Sequence, residues 1–376
     1  MELSAEQAAV RDTVREVAVE EIRPTAAEAD RTETFPEGVW ETLAELDLTA
    51  LTVPEAYGGF DADRLTYAIV NEEVAYGSLA VATALSVHSL VTSCIAEFGS
   101  EAQRERWLPE MAAGSPVGAF ALSEPDAGSN PAEMSTVARR EGDEYVVDGE
   151  KLWITNGQRS GVLVVFAKTD PEDPESVTQF LVPKDAGGLT VGTPEEKLRL
   201  RASDTTALTF DGVRIPAENR LTEEGRGLAA ALSILTGGRV GIAAQAVGLA
   251  QAALDESLDY ATEREQFDRS IGDIQAIRHK LAEMQTTVQA GRLLAYDAAK
   301  AMDRGESARM AASMAKCFAT EGAMDVTNEA VQIHGGYGYV ESDVERFYRD
   351  AKVTTIYEGT TQIQKTVIAR ELLGER

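Results

Sequence analysis

Ile356-Tyr357-Glu358-Gly359-Thr360-Thr361-Gln362 is the stretch on which the reading of this chain turns, because it marks a break between two helical patterns. Upstream, Val344, Phe347 and Tyr348 recur at three- and four-residue spacing, which predicts a charged helix over 344–352. Downstream, Thr360 can cap a helix whose apolar positions are Ile363, Val367, Ile368 and Leu372. A glutamate at such a break can project into a cavity, and Gly359 lets a ligand approach the backbone. Burial would lift Glu358 from an ordinary value of about 4.3 toward the range a general base needs. A lone loop glutamate is more often a solvated acid, so the rest of the chain has to decide.

Outward from that stretch, the hydrophobic period divides 376 residues into three regions. Residues 1–116 read as helical. Ser4 and Gln7 form a capping box, Val10, Val14, Val17 and Ile22 carry an apolar stripe that Pro24 should stop, and Ser100 with Gln103 opens a later helix. Residues 117–222 switch to period 2, with short β-rich runs at 145–147, 162–167, 179–182 and 207–210 separated by Gly, Pro and Asp. Residues 223–376 return to the helical period over 228–262, 274–304 and 308–333, with short connections that suggest a bundle. The predicted fold class is α+β: an N-terminal helical domain, a middle antiparallel β domain of hairpins and a C-terminal four-helix-type bundle.

Composition excludes several function classes. A net charge of −28 and a pI near 4.5 argue against nucleic acid and anionic membranes as partners. Nine lysines, none before Lys151, stand against 26 arginines, so a halophilic source is one reading of the acidity. The longest apolar runs, such as 229–235, look too short to span a membrane. The start, Met1-Glu2-Leu3-Ser4, resembles neither a secretory signal nor a transit peptide, and a cytoplasmic location is expected. Cys94 and Cys317 read as buried small hydrophobes, and His88, His279 and His334 lack metal-ligand spacing. No Gly-x-Gly-x-x-Gly follows a strand and no Walker A motif is present. A Rossmann-type NAD enzyme and a P-loop NTPase are therefore disfavoured, and no metal site is expected.

Several stretches carry chemistry when taken together. Phe120-Ala121-Leu122-Ser123-Glu124-Pro125-Asp126-Ala127-Gly128-Ser129 is a turn whose backbone is fixed by proline and glycine and whose Ser123 and Ser129 offer hydroxyls. Trp153-Ile154-Thr155-Asn156 places a flat aromatic beside a hydroxyl. Arg264, in Glu263-Arg264-Glu265-Gln266-Phe267, closes a long helix, and Gln275 follows eleven residues on. Gln332-Ile333-His334-Gly335-Gly336-Tyr337-Gly338 follows a helix rather than a strand, so alone it reads as a C-cap and turn. Arg239 lies in Gly237-Gly238-Arg239-Val240.

In this order and at these separations the stretches resemble the acyl-CoA dehydrogenases, from Ser4 to Leu373. Tyr357-Glu358-Gly359-Thr360 is similar to that family's catalytic segment. The resemblance implies FAD, with Phe120, Leu122, Ser123, Gly128, Ser129, Trp153, Ile154 and Thr155 on the flavin side. Arg264, Phe267, Gln275, Gln332, Gly335 and Gly336 would lie toward its adenylate and pyrophosphate across a subunit boundary, and Thr360 and Gln362 near the base. Ser129, Arg239, Tyr357 and Gly359 would face substrate. Asp126, Asn130, Thr236 and Asp268 depart from the family's usual residues. Gly238 stands where the isovaleryl and long-chain branches carry their base, which leaves Glu358 without a competitor and suggests the short- and medium-chain-like branch.

The activity so implied is α,β-dehydrogenation of an acyl-CoA to the trans-2-enoyl-CoA, as in fatty acid β-oxidation. Glu358 would take the α-proton while hydride passes from Cβ to flavin N5, with electrons going on to an electron-transferring flavoprotein. The cross-subunit contacts imply a homotetramer built as a dimer of dimers. The alternatives are an acyl-CoA oxidase, a glutaryl-type decarboxylating enzyme (disfavoured because Ala80 to Leu85 offers no cation), a non-dehydrogenating flavoprotein on the same scaffold, and a helical interaction protein without cofactor.

Overall fold

A computed structural model describes residues 2–374. Met1, Glu375 and Arg376, the outermost ends of the first and third predicted domains, lie outside the described residues. Helix α1 (Ala5–Val17) opens on the Ser4–Gln7 capping box. Pro24 does not stop it: a π-turn over Ala18–Ile22 leads directly into α2 (Arg23–Thr32). Pro24 sits in the first turn of α2, where an absent N–H leaves no bond of that segment unmade. There follow α3 (Glu37–Glu45), α4 (Arg64–Gly77), α5 (Leu79–Phe98) and α6 (Glu101–Ala112), the last opened by the Ser100–Gln103 capping box.

The middle region is a sheet of β1 (Val117–Ala121), β2 (Val137–Glu141), β3 (Glu144–Thr155), β4 (Ser160–Lys168), β5 (Val177–Pro183), β6 (Leu189–Pro194) and β7 (Thr205–Pro216). The order is β1-β4-β2-β3-β7-β6, with β5 against β4. The expected antiparallel hairpins are present as β2–β3, β4–β5 and β6–β7. The sheet is nevertheless mixed, because β1 runs parallel to β4, and β2 meets β4 in the same sense. The long chain excursion between β1 and β4 allows that crossover, which a tight turn could not make.

The C-terminal region comprises α7 (Gly227–Glu263), a hairpin of β8 (Glu265–Gln266) and β9 (Arg269–Ser270), α8 (Gln275–Asp303), α9 (Arg309–His334), α10 (Gly336–Tyr339), α11 (Asp343–Thr354) and α12 (Thr361–Leu373). Helix α7 packs on α4, α8 and α9. One apolar core runs from Val14 through Val247 to Phe347, so the N- and C-terminal helices form a single body. A second core joins α5 and α6 to β4, β5 and α7. Helices α5 and α7 are in fact long and apolar enough to cross a membrane, which corrects the reading from short apolar runs. For α5, however, 94% of the most apolar window is buried inside the protein, as befits a central helix that is apolar all round.

Candidate active site

The loop between α11 and α12 is held on every side. Thr360 caps α12 by accepting from the Ile363 N–H. The Tyr357 hydroxyl meets Thr83 of α5 and Gln245 of α7, each at 3.4 Å. Lys316 of α9, with 1% of its surface exposed, donates through Nζ to the carbonyls of Tyr357 and Gly359 at 2.5 Å. Gln364 Nε2 donates to the carbonyls of Glu358 and Gly359. Between these anchors Glu358 adopts a left-handed conformation, φ +51°, and Gly359 has φ +90°. A non-glycine residue held there costs of order 1–3 kcal/mol, which the surrounding bonds must offset.

This geometry aims the Glu358 carboxylate at α7. Oε2 is buried and has no hydrogen-bond partner among the described residues, and it occupies space that a side chain at Gly238 would claim. Burial pushes the carboxyl up to about 7, against the opposing pull of Lys316 and Arg239. The same burial pushes Lys316 and Arg239 down, with Glu358 pulling both the other way. Arg239 is 6% exposed and its Nε is unpartnered. Neither cation comes within ion-pair distance of Glu358 among the described residues, so the acid is tuned by its surroundings rather than neutralised by a salt bridge. The backbone N–H of Glu358 has no protein acceptor among the described residues.

A second group of predicted residues meets at the edge of the sheet. Leu152 N–H donates to the Ser123 carbonyl at 2.9 Å, and Lys151 Nζ to the Leu122 carbonyl at 3.1 Å. The 120–129 loop and the 153–155 segment are thereby joined. Beneath them Lys151 pairs with Glu124 at 2.8 Å, with both side chains almost wholly buried. Glu124 also accepts from Ser135 and Thr136, and these partners hold its carboxyl down to about 2 despite burial. Asn156 ties the end of β3 to the carbonyls of Ala84 and Gly118. Trp153 is left 59% exposed with φ +64°, so it does not serve as a core tryptophan. Ile154 is buried, Phe120, Leu122, Ser123 and Thr155 are half-buried, and Gly128 and Ser129 lie on the exposed turn.

A third group lies apart from both. Arg264, Gly335 and Gly336, with Tyr260, His334 and Tyr337, line an open hollow of about 550 Å³ whose walls include none of the Glu358 loop. Gln332 is exposed beside it, and Gln275, which opens α8, is also exposed. Phe267 and Asp268, both with positive φ, form the two-residue turn between β8 and β9. This is the turn type in which aspartate is at home. Phe267 is 83% exposed. Glycine at 335, φ +60°, lets α9 end and the backbone turn into α10, with open space where a side chain would stand. Gln362 is exposed on the first turn of α12.

Three family models cover nearly the whole chain: the acyl-CoA dehydrogenase N-terminal domain over residues 4–115, the middle domain over 119–213 and the C-terminal domain over 225–373. The chain belongs to the acyl-CoA dehydrogenase family. An acyl-CoA dehydrogenase of Bacillus subtilis is 43% identical over 377 residues, covering 100% of both chains. The structure of butyryl-CoA dehydrogenase from Megasphaera elsdenii superposes with a TM-score of 0.96 at 38% identity, covering 99% of each chain. A glutaryl-CoA dehydrogenase from Mycobacterium smegmatis in complex with FADH2 superposes with a TM-score of 0.94 at 32% identity, covering 99% of this chain and 95% of that one. The chain is thus an oxidoreductase of a flavoprotein family.

The residues at hand fit a flavin. An exposed tryptophan stands near a strand end, Ser123, Ser129 and Thr155 offer hydroxyls beside it, and a guanidinium and paired glycines line a separate hollow suited to phosphate. Sequence reasoning missed Lys316, Gln364 and the Lys151–Glu124 pair. Lys316 had a legible signal: in a lysine-poor chain it falls on the apolar face of its helix, between Ala312, Ala315 and Ala319.

Proposed function

We propose that the chain dehydrogenates an acyl-CoA thioester between Cα and Cβ, with Glu358 as the base that removes the α-proton. The observation that carries this reading is the buried, unpartnered Glu358 Oε2 facing Gly238. An acid with no protein partner and a carboxyl lifted to about 7 is poised to accept a proton near neutrality. The free Glu358 N–H is available to the thioester oxygen, where it would stabilise charge that develops as the proton leaves. Tyr357 and Gly359 position that loop, and Arg239, the residue after the carboxylate's contact on α7, supplies a nearby cation.

FAD, when bound, supplies the two-electron acceptor for the β-hydrogen. Phe120, Leu122, Ser123, Gly128, Ser129, Trp153, Ile154, Thr155, Thr360 and Gln362 would hold its flavin end. Arg264, Phe267, Gln275, Gln332, Gly335 and Gly336 would hold the phosphates and adenylate of a neighbouring subunit's cofactor. The exposed Phe267, Tyr337 and Tyr339 support a homotetramer assembled from dimers, in which a partner covers them. Electrons then pass to an electron-transferring flavoprotein. The test is anaerobic addition of butyryl-CoA to the flavin-loaded protein. Bleaching is expected in the wild type and is lost in Glu358→Gln, whereas equal bleaching in both removes Glu358 from its role.

A further inference from the structure

Beside Gly238, on the side of α7 that meets the Glu358 carboxylate, is a partly enclosed cavity of about 70 Å³. At ~30 Å³ per water this is room for about two waters, or the same number of chain atoms. Its walls come from α4, α5 and α7, with Thr52 and Met302 of α8, and mix the apolar Leu90, Ile234 and Met302 with several polar groups. Arg64, Ser89, Ser93, Glu97 and Ser233 line it, along with Gly237 and the buried Tyr67.

Three of these groups lack partners. Arg64 makes no side-chain hydrogen bond or ion pair among the described residues, and its Nη1 reaches within 3.4 Å of where a side chain at Gly237 would begin. Ser89 is 2% exposed and its Oγ has no hydrogen-bond partner among the described residues. Glu97, an exposed residue whose side chain borders the cavity, has no cation within ion-pair distance among the described residues. Burial pushes its carboxyl up while Arg64 pulls it down, so the two opposite charges face one small space without closing on each other. A plain alkyl end would fill this space and leave the Arg64 and Ser89 groups desolvated and unpaired, which is unfavourable. A terminal carboxylate would satisfy Arg64 but meet the charge of Glu97. A hydroxyl can accept from Arg64 or Ser89 and donate to Glu97 at once.

We propose that this enzyme's substrate is a short acyl-CoA whose distal end carries a hydroxyl group, read by Arg64, Ser89 and Glu97. The inference rests on the dehydrogenase reading above and adds the substrate class.

The test compares butyryl-, valeryl-, 4-hydroxybutyryl-, 5-hydroxyvaleryl- and glutaryl-CoA with a dye acceptor. The same ligands are titrated into Glu358→Gln holoenzyme and followed by the flavin absorption shift. The better hydroxyacyl-CoA is expected to exceed its unsubstituted parent about tenfold in kcat/KM and in affinity, the value of roughly one hydrogen bond in a desolvated site. Arg64→Met and Ser89→Ala are expected to shrink that ratio toward one. Because the ratio is taken within each variant, a general loss of folded protein cancels. A wild-type ratio near one, a ratio that survives Arg64→Met, or a preference for glutaryl-CoA each overturns the proposal. Failure of every saturated acyl-CoA to bleach the flavin would instead strike the dehydrogenase reading, and this inference with it.

Discussion

The Glu358 carboxylate stands where a side chain on Gly238 would have to be: both Oε2 and Cδ fall inside the contact distance of a β-carbon built there. The carboxylate can hold this pose only with glycine on the facing turn of α7. Gly238→Ala is expected to displace the carboxylate while leaving the 120–129 and 153–155 segments, which we propose hold FAD, untouched. Single-turnover flavin reduction by butyryl-CoA should fall by about 10²-fold or more, within the range general-base catalysis contributes, at unchanged flavin content.

Glu358 also sets the pH dependence. Its carboxyl, raised to about 7 by burial, must be ionised to act, so kcat/KM is expected to climb as pH rises through about 7. The stability effect has the opposite direction. Between the ordinary value of 4.5 and about 7 the folded protein holds a proton that the unfolded chain releases, so this group's contribution to stability is lost as pH rises through that window. The ligand-free thermal midpoint of the wild type should therefore lose ground to that of Glu358→Gln between pH 5 and pH 8.

Lys316 acts on that acid through the backbone. Its ammonium bonds the carbonyls on either side of Glu358 and, as a nearby cation, holds the Glu358 carboxyl lower than burial alone would leave it. Lys316→Met is expected to move the kcat/KM profile to higher pH and to lower the maximum rate. A purely structural lysine would change stability and rate but not the position of the profile. Two carbonyls lose a charged donor, so about 1–3 kcal/mol of stability should go with it.

The period change at Val117 and its reversal near Glu223 were legible because core-facing positions impose spacing on apolar residues, and the bundle helices appeared within a residue or two of their predicted ends. The Ser4, Ser100 and Thr360 caps were legible for a similarly local reason. The parallel β1–β4 pair was not, since strand direction is set by how the chain returns rather than by any run of residues. The passage through Pro24 was also hidden, because a π-turn has no residue signature of its own. At the site, Glu358 and the glycines could be read from their resemblance to a known segment. Lys316 and Lys151 act across long sequence separations, and nothing adjacent to them in the chain names their partners.

Lys151 and Glu124 form a buried pair under the two sheet-edge segments. Removing one member leaves an uncompensated charge, a loss of about 3–5 kcal/mol. Lys151→Met is expected to lower the denaturation midpoint accordingly, and to weaken flavin retention because the Leu122 carbonyl loses its tether. In the wild type the Glu124 contribution, with the carboxyl held down to about 2, is present above the ordinary value of 4.5 and is lost as pH falls toward 2. Acid titration of the Lys151→Met protein should show that component reduced, since Ser135 and Thr136 still donate to Glu124.

Arg264 closes α7 and lines the open hollow with Gly335 and Gly336, its guanidinium 5.8 Å from the centre of the Tyr337 ring. It has no carboxylate partner among the described residues, so its charge is free for a phosphate. Arg264→Ala is expected to leave the fold intact, since the residue is exposed and supports no core contact, but to release FAD during dialysis. If phosphates reach the hollow from a neighbouring subunit's cofactor, flavin loss should increase on dilution, as the wild-type oligomer dissociates, and sedimentation should report both events together. Full flavin content in the variant after exhaustive dialysis would remove Arg264 from the cofactor site.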